Sequence, residues 1–280
     1  MGENGGIGKT LANLPTWLYF GLIIIAMAYI TLYPLGFPIP ISDQTRYVYA
    51  AVDVLETGDI FFVNMGYESG TIAFMEPGMV AVFRHAISKG VKLVIMSTAV
   101  ESPMLVGRLM DKVKPEASGY VYGEDWVHLG FIAGGEPSYA SLMGDINGLV
   151  TEDYQQTPTS DLPLMAELGA PTHEKIALVG IWTAGGDVIE GWIRQAAVQY
   201  DLPLITEVNE MMVPTLLPYY PINLDGILNG GIGAAEYENL SGFAGEAIKL
   251  SDMMTMGGLV VLIFLILGNI GFLMTKGGKK

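Results

Sequence analysis

The chain has 280 residues, no cysteine, 29 acidic and 14 basic residues, and a formal charge of −15. Lack of cysteine excludes disulfides and thiolate metal sites. So acidic a surface repels phosphate backbones and anionic headgroups, which argues against nucleic acid as a partner.

The charge is unevenly placed. Setting aside Glu3 and Lys9, Lys276, Lys279 and Lys280 leaves 28 acids and 10 bases within residues 36–255. Those residues suit one acidic domain, flanked by two uncharged apolar segments.

In chain order, residues 1–16 form a tail. Its Gly8-Lys9-Thr10 has the ending of a phosphate-binding loop, but Glu3 stands where that pattern needs glycine, and no strand precedes it. Residues 17–33, WLYFGLIIIAMAYITLY, carry no charge and approach the ~20 residues a helix needs to cross a bilayer. Trp17, Tyr19, Tyr29 and Tyr33 lie near the ends, as interfacial aromatics do. No small-x-small cleavage site follows, so a retained transmembrane helix is expected rather than a signal peptide. Residues 34–46, with Pro34, Pro38 and Pro40, read as a stiff linker.

The acidic domain is placed at 47–252. A short helix is expected over 47–56, then a strand from the apolar run Ile60–Val63. A turn at Met65–Gly70 precedes a helix over 71–89, with a break or kink at Pro77-Gly78. Ile72, Met75, Met79, Val82, Phe83 and Ala86 recur at helical spacing and should face the core. Further strands are expected at 92–96, 126–133, 175–182 and 204–208, with helices at 101–113, 137–150 and from Asp187 to Tyr200. Tyr154–Asp161 reads as a surface loop, and 233–239 as a helix. Strand, turn and helix recur about five times, the rhythm of a mainly parallel open α/β sheet with helices on both faces, Rossmann-like or flavodoxin-like. Gly130–Glu136 and Gly180–Asp187 look alike, each a strand, a glycine pair and an acid, as if answering the same strand-to-helix turn.

Residues 255–275 contain the second uncharged apolar segment, and 276–280 form a basic tail. Four lysines outside the two segments, against Arg46 and Lys249 just inside, favour both termini in the cytoplasm and the domain outside. Asn239-Leu240-Ser241 is then a glycosylation acceptor pattern.

In open α/β sheets, ligands bind at the C-terminal ends of strands. The residues available there are Gly66, Tyr67 and Ser69 with Gly70, then Ser97, Thr98 and Glu101, then Thr183, Gly185, Gly186 and Asp187. Helix capping explains Asp187 and Glu136 equally well. His85 reads as a surface or rim residue, His128 as a satisfied half-buried strand residue and His173 as a loop residue. No nucleophile elbow, zinc-helix motif or calcium loop accompanies them, so no catalytic residue, metal or cofactor is expected.

Residues 212–235 are apolar yet irregular and would need cover. Gly257, Gly268 and Gly271 thin the second apolar helix, and Asn269 is its strongly polar side chain. These features favour a membrane-anchored, non-enzymatic scaffold that self-associates through 212–235 and the second helix. Lipid, further copies of the chain and other membrane proteins would be its partners. The alternatives are a ligand-binding accessory subunit of a transporter and, third, an envelope hydrolase or transferase.

Overall fold

A computed structural model describes residues 14–33, 35–243 and 245–277. Lys9, Gly8-Lys9-Thr10, Pro34, Lys279 and Lys280 lie outside the described residues. The chain divides into two compact units, Ile39–Ala247 and the combination of Met1–Pro38 with Ile248–Lys280.

In the second of these, α1 (Thr16–Leu32) lies with the greater part of the chain's last helix, Glu246–Gly277. Of these, Glu246–Thr275 is long and apolar enough to cross a membrane. The expected first span is a 17-residue helix, which rises only about 26 Å against a ~30 Å hydrocarbon core. One candidate span therefore stands where two were expected. The helices run in opposite directions. The rings of Tyr19 and Phe264 lie 4.2 Å apart, while Thr31 Oγ1 reaches Met253 Sδ at 3.8 Å. Asp252, fully buried, accepts the N–H groups of Gly36 and Phe37 at 2.8 and 3.0 Å.

The larger unit follows the order α2 (Asp43–Asp53), β1 (Ile60–Gly66), α3 (Ile72–Ser88), β2 (Lys92–Ser97), α4 (Ser102–Val113), β3 (Trp126–Phe131), α5 (Glu136–Gly144), α6 (Ile146–Leu149), α7 (Pro163–Leu168), β4 (Ile176–Thr183), α8 (Gly186–Trp192), β5 (Leu204–Val208), α9 (Val213–Leu216), β6 (Gly226–Asn229) and α10 (Gly230–Ser241). The helix Glu246–Gly277 is α11. All six strands pair in parallel, in the order β3-β2-β1-β4-β5-β6. From β1 the chain builds outward to β3, returns to β4 beside β1, and builds outward the other way.

Each face of the sheet has its own core. Phe61, Val63, Leu93 and Trp182 meet α2, α3, α4 and α10, while Phe62, Val94, Val179 and Ile181 meet α5 to α9. Alternate residues of a strand point to opposite faces, so strands covered on both sides read as unbroken apolar runs.

Several expected boundaries move for local reasons. Helix α2 starts at Asp43 rather than 47 because Ser42 caps it, its Oγ accepting from Thr45 N–H at 3.3 Å. The 137–150 helix is two helices, since Asp145 caps a new one by accepting from Gly148 N–H. The loop around Tyr154 includes a strand-edge contact, Tyr154 N–H donating to His128 O at 2.8 Å along edge strand β3. Helix α8 continues through a π-helical stretch, Ile193–Val198.

Three corrections are larger. Strand β6, inside a segment expected to be irregular, completes the sheet. Much of the apolar surface of residues 212–235 is covered within the domain: Leu216, Leu224, Ile227, Leu228, Ala234 and Ala235 are buried, leaving Leu217, Ile222 and Ile232 exposed. The two Gly-Gly turns are not copies, since Gly134 and Gly135 have φ of +114° and +60° whereas Gly185 has −99°.

The expected break at Pro77-Gly78 is absent, and α3 runs unbroken across it. Of its predicted core face, Met75, Met79, Val82, Phe83 and Ala86 are buried and Ile72 is half-buried. Gly78 has a packing role instead. A Cβ there would overlap Glu207 Oε2 and lie 2.6 Å from Oε1. Alanine in place of helical glycine ordinarily stabilises by about 0.5–1 kcal/mol, and Gly107→Ala, with nothing within 4 Å, should do so. Gly78→Ala should instead cost about 1–3 kcal/mol through overpacking. Urea denaturation of the two variants tests this; equal and stabilising shifts would contradict the packing.

Candidate functional site

Strand order reverses between β1 and β4, so the connections leaving their C-terminal ends turn to opposite faces, the switch point at which open α/β sheets ordinarily take ligands in a crevice. Gly66 ends β1 at that point. A Cβ there would come 2.8 Å from Thr98 Oγ1 and 3.3 Å from Thr183 Oγ1, so glycine lets three strand ends converge. Thr98 Oγ1 donates to Asn64 Oδ1 at 3.1 Å. Asn64 is fully buried, and its Nδ2 has no hydrogen-bond partner among the described residues. Burying a donor without a partner costs free energy, so Asn64 keeps an unmet hydrogen-bonding group at this switch point.

The walls come from neighbouring turns. Ser69 donates to Glu101 Oε2 through its N–H at 3.1 Å and its hydroxyl at 2.7 Å, tying the β1 turn to the start of α4. Those bonds hold the Glu101 carboxyl below its ordinary pKa. Ser102 Oγ donates to Tyr67 O. On the other wall, Thr183 Oγ1 accepts from Gly185 N–H at 3.1 Å. A Cβ on Gly186 would meet Met212 Cε at 2.7 Å, and one on Gly185 would meet Asp187 Oδ1 at 2.9 Å.

Thus Gly66, Thr98 and Thr183 converge, Ser69 and Glu101 are joined, and Gly185, Gly186 and Asp187 begin α8. Tyr67 and Ser97 point into the core: both are fully buried, and neither the phenol nor the Ser97 hydroxyl has a described partner. Burial, then the charges of Glu76 and Glu207, raises the Tyr67 pKa. In the smaller unit, Asn269 Nδ2 donates within its own helix to Leu265 O at 2.8 Å. Gly257 and Gly268 have no neighbour within 4 Å of a would-be Cβ, and Gly271 is buried.

The residues that sequence reasoning missed are Asn64, Glu207 and Met212. Asn64 had a signal, being the polar residue in the run Ile60–Met65. Glu207 had none. It is fully buried on β5, and Trp182 Nε1 donates to its Oε2 at 2.6 Å while Oε1 lacks a described partner. Burial pushes its pKa well up, against the opposing indole bond. Another buried acid, Glu76, is ion-paired with Arg108 at 2.9 Å and Lys112 at 2.7 Å.

The histidines differ from expectation. His85 is buried in the core rather than on the rim, 2.8 Å from Tyr237 Oη and stacked on Tyr49. Burial lowers its pKa against the pull of Asp53. His128 is buried, with Nε2 unpartnered among the described residues, and desolvation lowers its pKa to about 4. His173 stacks on Tyr200 and bonds Met143 O. A cavity of about 390 Å³ lies among Asn147, Thr151, Thr159, Ser160 and Ala166, none of them a strand-end residue.

No family model matches the chain, and no curated protein matches its sequence. The crevice therefore has to be interpreted from its own chemistry.

The raised pKa of Glu207 has a measurable sign. The folded protein holds its proton to higher pH than the unfolded chain, so its contribution to stability is complete below the unfolded pKa and is lost as pH rises towards the folded one. Glu207→Gln keeps a neutral group beside Trp182. The variant should gain on the parent by about 1.4 kcal/mol per pH unit above the unfolded pKa, until the folded carboxyl ionises. Denaturation curves from pH 5 to 8 that stay parallel would refute a proton held on Glu207.

Proposed function

We propose that this chain is a membrane-anchored binding module that holds a small molecule in the crevice between β1 and β4. The unmet hydrogen-bonding capacity of Asn64 carries this reading, because it lies at the floor of the place where open α/β sheets take ligands. The strand order supports it, being that of Rossmann-like doubly wound sheets rather than the flavodoxin order. In this reading α1 and α11 both enter the bilayer. The lysine bias puts the termini in the cytoplasm and the acidic domain outside. Such a module suits an accessory subunit working beside other membrane proteins.

A second reading, a self-associating scaffold, draws on the exposure of Leu217, Ile232 and above all Ile222, 86% exposed. Cover of most of 212–235 within the domain leaves it less surface than the sequence suggested.

A native mass spectrum of the protein, released gently from its own membrane, separates the two. The expected result is the 30.1 kDa chain carrying a discrete small-molecule mass. That mass should vanish in Gly66→Val, whose side chain would collide with Thr98 and Thr183 and displace the strand ends, and in Thr183→Val, which removes a hydroxyl there. Multiples of the chain with no added mass would overturn the binding reading and favour the scaffold.

A further inference from the structure

Helices α2, α3 and α10 meet at one buried histidine. His85, on α3, is 5% exposed, and both of its ring nitrogens face a partner. Nδ1 lies 2.8 Å from the hydroxyl of Tyr237 on α10. Nε2 lies 3.4 Å from Oδ1 of Asp53, the last residue of α2. The ring stacks on Tyr49 of α2 at 4.9 Å between centroids, with Phe243, just beyond α10, at 6.3 Å. Two charged groups act on it: Asp53 from α2, and Lys89 from the end of α3, which shares Asp53 at 3.7 Å.

The protons of this cluster follow from its partners. Tyr237 is fully buried, and burial raises its pKa well above that of an ordinary phenol, so its oxygen keeps its proton. An ionised carboxylate can only accept. A neutral His85 satisfies both neighbours at once: Nδ1 accepts from the Tyr237 hydroxyl while Nε2–H faces Asp53. A second proton, on Nδ1, breaks this order. Nδ1 and the phenol would both be donors, and Tyr237 could accept only by turning its own hydrogen away. Among the described residues that hydroxyl has no second partner, so a buried donor is left unmet.

We propose that His85 is an acid-sensitive latch that fastens α2 and α10 to α3, closed when the ring is neutral and loosened when the ring takes a second proton. A separate tie joins α2 to α10, since Ser42 Oγ, at the cap of α2, donates to Glu236 Oε2 at 2.6 Å. The latch therefore loosens these helices from α3 and leaves the sheet folded. Their place in the chain gives the device its reach: residues 33–42 connect α1 to α2, and residues 242–245 connect α10 to α11.

Burial lowers the His85 pKa, with Asp53 opposing and Lys89 adding to the shift. The opened latch takes its proton near the ordinary histidine value of about 6.5, the closed one only at lower pH. Closure is thus complete above about pH 6.5 and is lost as pH falls below it.

The test is hydrogen exchange of the full chain in neutral detergent, followed by mass spectrometry from pH 7.5 to 5.5 and corrected for the intrinsic pH dependence of exchange. Amides of α2 and α10 should exchange severalfold faster below about pH 6.5, and at most about tenfold faster per pH unit for a single proton. Strands β1, β2 and β4 should keep their protection. His85→Gln, with a carboxamide that does not titrate, should flatten the profile. Asp53→Asn, at an exposed position, removes the charge that favours the second proton on the closed ring and should deepen the loss in acid. His128→Gln, on β3, should leave the profile of α10 unchanged. A flat parent profile, a slope that survives His85→Gln, or an Asp53→Asn profile shallower than the parent's would overturn the latch. Equal acceleration across the sheet would overturn it as well, because protonation would then weaken the whole fold.

Discussion

Strand β1 has neither a free edge nor a free face. It pairs with β2 on one side and β4 on the other, and its side chains enter the two cores alternately. Parallel strands are joined by crossovers, so each crossover must choose a face, and the choice reverses as the chain returns from β3 to β4. One core then gathers α2, α3, α4 and α10, the other α5 to α9. The crevice follows from the same reversal, because the turns after β1 and β4 diverge. A functional site at that point needs no dedicated element.

Close packing around the sheet is bought at glycine. Gly180 has Phe61 ring atoms 2.7 Å from its would-be Cβ, and Gly226 has the Val48 nitrogen at 2.6 Å. Gly78 makes room for a carboxyl group instead. Two of the buried acids are handled differently: Glu76 is ion-paired with Arg108 and Lys112, while Glu207 meets an indole and burial raises its pKa. Lys112 also reaches Glu246 in the first turn of α11 at 2.8 Å, extending the charged network to the start of that helix.

Among the described residues, nine buried side-chain polar atoms have no hydrogen-bond partner, and five of them share one location. Asn64, Tyr67, Ser97, Glu207 and Asn229 all lie at or near the C-terminal ends of strands. Their unmet bonds cost stability at that edge of the sheet. Other buried polar groups are well matched, as in the turn where Asp153 accepts from Gln155 and Thr157 N–H and from the Tyr122 hydroxyl, while Trp126, His128, Asn147 and Trp192 each keep one atom unpartnered among the described residues.

The sequence by itself determined the α/β class, five of the six strands, most helix positions, the glycine-bearing turns and the apolar character of the last helix. These are local properties: a buried strand reads as an apolar run, a helix as a 3.6-residue stripe, and both survive without knowledge of neighbours. The tertiary structure decided the rest. Strand order is a long-range choice, so β6, short and glycine-led, became visible only once β5 supplied its partner. Residues 212–235 looked uncovered because their cover comes from distant parts of the domain. Glu207 looked like an ordinary strand residue until Trp182 and Gly78 closed around it, and His85 looked peripheral until Tyr49 and Tyr237 packed against it. Periodicity records which way a side chain points, and only the assembled fold records what it meets there.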